Sequence, residues 1–582
     1  MDEASPFRTA AEEVARLRRE LESIKAENAR LHRLLGVTGR SVVPDQPSQD
    51  ALFVGVQGRV DAHSPVQRKL ALYRTLFAGR DDVHALRWEN ARTGKAGWLP
   101  AVQGGWRKHG PRNYLPLTDE VVASHLTGDI HAGLYPLTSG DVCRLVVADF
   151  DGQAALLDAL AYLKAARAID VSASLEVSRS GTGAHVWIFF SGNVPASTAR
   201  RIGAGLLREA MALRGELDLA SYDRLFPSQD FLPSSGSIGN LIALPLQGEC
   251  RKRGTTVFIE LATLEPVEDQ WAYLSTLDRV TPRRAETLAT AMRPLRTGPG
   301  AQQLWRAGST RTDPPAPAVI RARLGASVAI ERVGLPPALI ASIKHAASLH
   351  DAEFYDRERR RMSTWGVPRF IRAYSEDIDW LDLPRGLLET VEKLVTDAGS
   401  KLDISDDRPV AEEIELTFAA DLRPAQQAAH DSLAKHEQGL LVAPPGAGKT
   451  VIACSLIAQH NVPTLIVCDR KPLLDQWRAQ IQALLGVKPG QLGAGRTRLS
   501  GIVDLASLQT LARRDDLADS LTGYGMVVVD ECHHVPRWRS NAPFDNYRYA
   551  GGSGSRRRHT GATSLTTSSR CSAVQSATTS NK

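Results

Sequence analysis

Residues 440–450 read Leu-Leu-Val-Ala-Pro-Pro-Gly-Ala-Gly-Lys-Thr, and residues 526–533 read Met-Val-Val-Val-Asp-Glu-Cys-His. In the first stretch an apolar strand leads into a glycine-rich turn, then Lys449 and Thr450, then the helix-like Val451–Gln459. This is the setting of a phosphate-binding P-loop. The turn amides at Gly446 and Gly448 and the helix N-terminus face the phosphates, Lys449 reaches the terminal ones, and the Thr450 hydroxyl ligates Mg²⁺. In the second, four apolar residues deliver Asp530 and Glu531. A carboxylate there can hold the Mg²⁺, and its neighbour can position or deprotonate the attacking water. The two motifs, in this order and each after a strand, predict an ATP-binding, doubly wound parallel sheet with its phosphate site at the strands' C-terminal ends.

A second set of chemistry-bearing residues lies upstream. Arg144-Leu-Val-Val-Ala-Asp-Phe-Asp-Gly152 is an apolar strand that delivers Asp149 and Asp151. Alternate strand residues share a face, so the two carboxylates can hold divalent metals that clamp the attacking and leaving oxygens of a phosphoryl transfer. Taken alone, a D-x-D of this kind reads as a surface acid pair. It is followed by Leu175-Glu-Val-Ser-Arg-Ser-Gly-Thr-Gly-Ala-His-Val-Trp-Ile-Phe-Phe190, which reads as strand, turn and strand. The turn at Ser180, Gly181 and Gly183 offers amides to phosphate oxygens, and His185 opens the second strand. Ser221-Tyr-Asp-Arg-Leu-Phe-Pro-Ser-Gln-Asp230 and Gly239-Asn-Leu-Ile-Ala-Leu-Pro-Leu-Gln247 come next.

D-x-D on a strand, S-x-G-x-H before another, and a downstream Asp together resemble the archaeo-eukaryotic primase catalytic domain. Arg87-Trp-Glu-Asn90, FPSQD and GNLIALPLQ resemble the branch found in TOTE conflict systems, where that domain is fused to a superfamily 2 helicase. The resemblance covers residues 66–280 and implies an α+β, RRM-like catalytic domain. It implies that Asp149 and Asp151 are metal ligands, that His185 binds the incoming nucleotide's phosphates, and that Asp223 is the third metal carboxylate, with Asp230 as its rival. In the C-terminal half, Leu422-Arg-Pro-Ala-Gln-Gln427 resembles the helicases' Q-motif, with Gln426 as adenine reader. Leu465–Trp477 is similar to motif Ia, Asp504–Thr510 to motif Ib, and Asp530-Glu-Cys-His533 to motif II in its DExH form.

The rest of the chain frames these regions. At 582 residues it is too long for one core. A hydrophobic content of 43% with 23% charged residues is that of a soluble globular protein. No apolar run reaches membrane-spanning length, and the acidic N-terminus lacks the apolar segment of a signal peptide. Six scattered cysteines without C-x-x-C spacing argue for a reducing cytoplasm and against a zinc site. The net charge of +6 invites a nucleic-acid reading, but residues 537–582 hold seven Arg, one Lys and one Asp, a net of +7. The preceding 536 residues therefore carry −1, and local patches must supply any nucleic-acid binding.

Residues 12–36 predict a coiled coil: Val14, Leu21, Asn28 and Leu35 share one heptad position, and Leu17, Ile24 and Leu31 the other. A lone Asn in that seam suits a parallel homodimer, with an amphipathic helix packed on its own chain as the alternative. Residues 37–65 read as a linker, as do the Arg-, Pro- and Gly-rich residues 281–335. Residues 336–410 read as a mostly helical accessory segment. There Arg357, Arg359, Arg360 and Arg361 interleave with Tyr355 and Trp365, which suits either a nucleic-acid contact or a solvated helix face with two core aromatics. The helicase ATP-binding lobe spans 411–536.

Residues 537–582 lack apolar periodicity, and no Ser/Thr-Ala-Thr motif stands soon after Asp530. Reading the last base of each codon with the first two of the next, across Gly551–Thr563, permits WLGLTATPYRRD, which contains such a motif. The expectation is that the chain is out of frame from about 537 and that its motor is incomplete. The sequence thus describes an α/β multidomain primase-polymerase/helicase fusion acting on DNA or RNA, using Mg²⁺ or Mn²⁺, ATP and nucleoside triphosphate substrates. The alternatives are a repair or restriction-type helicase with a non-catalytic N-terminal domain, and an inactive remnant.

Overall fold

The computed structural model of the chain describes residues 59–530, apart from 91–92, 106–112, 233–237, 262, 293–296, 299–314, 363, 365, 409–410, 512–520 and 522, together with 563–564. The coiled coil expected at 12–36, most of the linker at 37–65, Glu531 and nearly all of the tail lie outside the described residues. Two compact units result: one from 59–315 with 335–372, the other from 316–334 with the residues after 372. Among the described residues no helix is long and apolar enough to cross a membrane.

The first unit holds two antiparallel four-stranded sheets. One has the spatial order Ser174–Val177, Ala184–Pro195, Val142–Phe150, Leu225–Phe226. The other runs Lys95–Pro100, Ala85–Asn90, Ala132–Leu134, Ile242–Ala243. Strand Val142–Phe150 is apolar at consecutive positions because both of its faces are covered. Leu145 and Val147 join Trp187 and Phe189 in one core with Ala132, Leu134 and Ile242 of the other sheet. The opposite face carries helices Ala155–Ala168 and Ala196–Leu213, with Phe150 edge-on to Tyr162 and Gly203 set against Val146 and Leu225.

The two regions flanking residue 335 depart from expectation. The stretch 281–335 contains helix Pro282–Ala291, which buries Ala285 and Ala289, and strands Val319–Leu324 and Ser327–Glu331. Its Arg-rich composition concealed a period-2 alternation, Val-Ile-Arg-Ala-Arg-Leu, in which every second side chain is buried. The segment 336–410 is mixed rather than mostly helical. Helix Pro337–Ala346 is buried from Ala338 onward, and its Lys344 Nζ donates to the Gly215 carbonyl at 2.7 Å within the first unit. Residues beyond 372 instead complete a five-stranded sheet in the second unit, in the order Ser375–Glu376, Trp380–Pro384, Ser327–Glu331, Val319–Leu324, Lys401–Asp406.

The motor-like part of the second unit is built on a parallel sheet. Thr464–Cys468 lies between Val503–Ser507 and Met526–Val529, and Gly490–Gly493 and the antiparallel Arg496–Arg498 extend the far side. Strand Thr464–Cys468 is buried along its length, with Ile466 and Cys468 in one core and Leu465 and Val467 in another, as a sheet covered on both faces requires. Among the described residues, 440–443 pair with no strand, and Leu440 and Val442 are 41% and 83% exposed. Beside Met526–Val527 lies the two-residue strand Thr563–Ser564.

Candidate functional site

Strand register assembles the upstream site. Asp149 lies directly across from His185, and His185 directly across from Glu176 on the next strand. Paired residues in an antiparallel sheet project to the same face, so Glu176, His185 and Asp149 line up on the face that carries Val147 and Trp187 into the core. His185 Nδ1 donates to Glu176 Oε2 at 3.0 Å, and its Nε2 lies 3.6 Å from Asp149 Oδ1. Glu176 is 1% exposed and also accepts from Trp187 Nε1 at 2.7 Å. Burial by itself would lower the His185 pKa, but Glu176 and the two aspartates outweigh it and raise it to about 9. The ring is therefore an imidazolium at neutral pH. Burial also raises Asp149 above the usual carboxylate range, against the pull of His185 and with Asp151 adding to the rise.

Asp151 stands just past the strand end and accepts from Arg224 Nη1. Asp149 Oδ1 is buried and has no hydrogen-bond partner. A solvent-shielded carboxylate oxygen left without a donor, beside a second and exposed carboxylate, is a donor set that fits a divalent cation.

Asp223 and Arg224 close the 3-10 turn Leu219–Arg224 that leads into strand Leu225–Phe226, the neighbour of Val147 and Ala148. There Asp223 Oδ1 accepts from the Arg369 amide at 2.7 Å. Burial raises its pKa to about 7 despite Arg200, Arg372 and Arg224. Asp230 Oδ1 accepts from Arg200 Nη1 at 2.9 Å, and Arg200 also bonds Glu358 at 2.8 Å. The structure thus brings Asp149, Asp151 and His185 together, while Asp223 bonds the Arg369 amide and Asp230 bonds Arg200.

The serine–glycine turn also departs from expectation. The Gly181 amide donates to the Ser178 carbonyl, and the Thr182 and Gly183 amides donate to Ser180 Oγ, so these donors serve the turn itself. The Ser180 hydroxyl lies at the centre of the turn, bonded also to the hydroxyls of Ser178 and Thr182. Gly183 is required by proximity: a Cβ there would lie 3.0 Å from the Phe150 carbonyl oxygen and 3.1 Å from Asp151 Oδ1. The arginines of 357–361 pair with nearby carboxylates, Arg357 with Glu353, Arg359 and Arg360 with Asp356, and Arg361 with Asp141. Trp365 lies outside the described residues.

In the second unit the P-loop precedes helix Lys449–His460, and Gly446 and Gly448 both take positive φ, which glycine alone adopts freely. Lys449 Nζ donates to the Ala443 carbonyl at 3.1 Å. Gln426, expected to read adenine, braces this loop: its Nε2 donates to the Ala447 carbonyl at 3.0 Å and its Oε1 accepts from the Arg423 amide. Arg423 donates to the same carbonyl. Asp530, at the end of Met526–Val529, accepts from Trp477 Nε1 at 2.8 Å. Thr450 follows Lys449 in the helix's first turn. Sequence reasoning missed Glu176, Arg224 and Trp477. Only Glu176 left a signal, since it sits at an inward position of an otherwise apolar strand and needs a buried partner there.

Residues 68–288 match the model of the TOTE conflict system archaeo-eukaryotic primase domain. Residues 419–549 match that of the type III restriction enzyme res subunit, and this match runs past Pro536. DNA 3'-5' translocase XPB2 of Sulfurisphaera tokodaii is 33% identical over 116 residues, 20% of this chain and 26% of that protein. A putative DNA 3'-5' helicase Rad25 of Halobacterium salinarum is 33% identical over 139 residues, 23% of this chain and 22% of that protein. The chain thus spans about a quarter of the length of these curated relatives. Among solved structures, the AEP domain of the cyanophage S-2L primase-polymerase shares 15% identity at a TM-score of 0.18, covering 32% of this chain and 95% of that one, a likeness too slight to bear on the reading.

Proposed function

We propose that this chain, an archaeo-eukaryotic primase domain of the TOTE conflict type fused to a superfamily 2 helicase-type domain, joins nucleotides on a nucleic-acid strand at the Asp149 site. The observation that carries the reading is the Glu176–His185–Asp149 line, which ends in a buried carboxylate oxygen with no donor. Asp149 and Asp151 would hold Mg²⁺ or Mn²⁺, which when bound supplies charge stabilisation of the transferring phosphoryl group. His185, kept cationic by Glu176, is placed to bind the phosphates of a nucleoside triphosphate. Arg224, bonded to Asp151, would neutralise it until the site is loaded and then be released toward the triphosphate. The antiparallel sheet with two helices on one face accords with an RRM-like catalytic fold.

In the helicase-type half, Lys449, Thr450 and Asp530 would bind Mg-ATP, with Glu531 positioning the water. The behaviour proposed for residues 411–536 is nucleotide binding at the P-loop. The reading places the protein in the cytoplasm, with pairing through residues 12–36.

Incorporation of labelled nucleotides on a primed template, dependent on Mg²⁺ or Mn²⁺ and lost in Asp149→Ala and Asp151→Ala, is the expected result. Incorporation that persists in both variants would refute the assignment. Absence of any incorporation by the unaltered chain would favour a helicase-type protein whose N-terminal domain only binds nucleic acid.

A further inference from the structure

The link between the two sheets of the first unit carries the run Arg251-Lys252-Arg253, and all three residues are exposed. The link leaves strand Ile242–Ala243 of one sheet and passes through the short helix Gly248–Arg251 and a turn. It then reaches Phe258, which pairs with Glu176 at the side of the other sheet. The turn is held from within: the Cys250 carbonyl accepts from the Arg253 and Thr255 amides and from the Thr255 hydroxyl. Residues 247–255 hold three cations and one carboxylate, Glu249, whose 2.6 Å ion pair with Lys252 is exposed on both sides. Arg253 gives an N–H to Cys250 Sγ at 3.4 Å. Among the described residues Arg251 and Arg253 pair with no carboxylate, unlike Arg357, Arg359, Arg360 and Arg361.

Strand pairing places this run at the rim of the Asp149 site. Phe258 pairs with Glu176, Glu176 with His185 and His185 with Asp149, so these residues form one row across the sheet. One residue further along, the Val177 amide donates to the Val257 carbonyl, Val177 pairs with Ala184, and Ala184 with Phe150. The chains then leave the sheet at the same edge, toward Asp151, into the turn Ser178–Gly183, and into the turn that holds Arg251 and Arg253. Direct contacts agree. A Cβ on Gly181 would lie 3.5 Å from Thr255 Cγ2, and one on Gly183 would lie 3.1 Å from Asp151 Oδ1. The link also keeps to the face that carries Asp149, since Leu244 and Leu246 before it and Phe258 after it enter the core that Val147 enters. Between the run and the carboxylates stands Arg179, which shares the one carboxylate of Glu89 with Arg87. Three strand spacings, about 14 Å, separate the ends of the row. That is too far for the phosphates of a triphosphate seated on Asp149 and Asp151, but it is roughly four nucleotides of a stacked strand at about 3.4 Å each.

Guanidinium groups on a built turn at that distance suit a phosphodiester backbone, which arginine meets with a planar fork of donors and without regard to sequence. The geometry points to Arg251 and Arg253 as backbone-phosphate contacts for the nucleic-acid strand that runs out from the Asp149 site. The inference rests on the reading of that site as the place where nucleotides are joined.

The test is fluorescence anisotropy of the full chain on labelled primed templates, one of DNA and one of RNA, over a series of salt concentrations. Arg251→Gln and Arg253→Gln should each weaken affinity roughly 3- to 10-fold. Each should also lower the slope of log affinity against log salt by about 0.7–0.9, the signature of one lost phosphate contact. Arg251→Lys and Arg253→Lys should keep that slope, because the charge remains. The KM for the nucleoside triphosphate, measured at saturating template, should hold in all four. The template that loses affinity, DNA or RNA, identifies the source of the phosphates. Unchanged affinity in both Gln variants overturns the inference, and so does a loss of affinity with an unchanged salt slope. A raised triphosphate KM with template binding intact would assign the arginines to the triphosphate and overturns it as well. If both Gln variants lose affinity and slope while the unaltered chain incorporates no nucleotide, the backbone contact stands and the catalytic reading falls. Incorporation lost in Asp149→Ala, with template binding indifferent to Arg251 and Arg253, gives the reverse.

Discussion

Both candidate sites put an acid at the end of a buried strand, yet the two are finished differently. Around Asp149 the nearest neighbours come from strands paired to one another. His185 and Glu176 sit on adjacent paired strands, Trp187 anchors Glu176, and a continuous core lies behind them. Around Asp530 the support is partial. Trp477 holds the carboxylate, but the apolar run that should carry the P-loop strand pairs with no strand among the described residues, and Val442 is largely exposed. A catalytic constellation needs its supporting shell on rigid elements. The first site has such a shell, whereas the second has one sound wall and one loose approach.

The largest effect should come at the first site and leave the second untouched. Asp149→Asn should lower nucleotide incorporation by roughly 10²–10³-fold or more, the scale of removing a preorganised electrostatic group. ATP binding, followed with a fluorescent analogue, should stay at the unaltered level. In the converse variant, Lys449→Ala should weaken ATP binding by roughly 10- to 150-fold, as expected for losing a charged hydrogen bond to phosphate, with incorporation preserved. Cross-talk in either direction would break the division into two independent sites.

Glu176→Gln sharpens the account of the first site, since Glu176 touches no substrate and acts through His185. Incorporation should fall roughly 10- to 100-fold, the range for losing an outer partner of a metal or phosphate ligand. The fall should appear chiefly as a raised KM for the nucleoside triphosphate with little loss of thermal stability. A large drop in Tm with an unchanged KM would make Glu176 a packing residue only. At the second site, Trp477→Phe keeps the ring but removes its N–H from Asp530. Mg-ATP affinity should weaken about 2- to 10-fold, and an unchanged Mg²⁺ dependence would show that the bond positions nothing.

The smallest effect concerns Asp223. Its folded-state pKa of about 7 lies above the ordinary value of 3.8, so the folded protein holds a proton that the unfolded chain has released between those values. The resulting stability is present at low pH and lost as pH rises through about 7. Asp223→Asn keeps an acceptor for the Arg369 amide and removes that dependence. Its Tm relative to the unaltered protein should therefore climb between pH 5 and pH 8, and a flat difference would contradict the burial argument.

How far the sequence could be read followed from how local each feature is. Asp149 and His185 lie within single strands and Asp151 just past the end of one, and their spacing carries their geometry. Asp223 sits in the 3-10 turn Leu219–Arg224, where spacing along the chain does not tell that its partner is the Arg369 amide. The bond from Gln426 to the Ala447 carbonyl, a partner 21 positions away, is likewise not legible in local spacing. Residues 281–335 were read as linker on composition, although the alternation in Val319–Leu324 was present and its partner strand lies some eighty residues on. The out-of-frame reading of 537–582 is a matter for the gene: codons that cannot spell LTATP in the shifted register would end it.

By itself the sequence determined which residues bear charge and hydroxyls, which runs alternate or are apolar throughout, and in what order the two functional halves follow one another. Those properties are written in neighbouring side chains and need no folded partner. Tertiary structure alone decided that Asp149, His185 and Glu176 share a face, that Glu176 accepts from His185, and that Arg224 meets Asp151. Each of these turns on which strands pair and in what register. A face in a sheet changes with every residue, and only long-range pairing fixes the count.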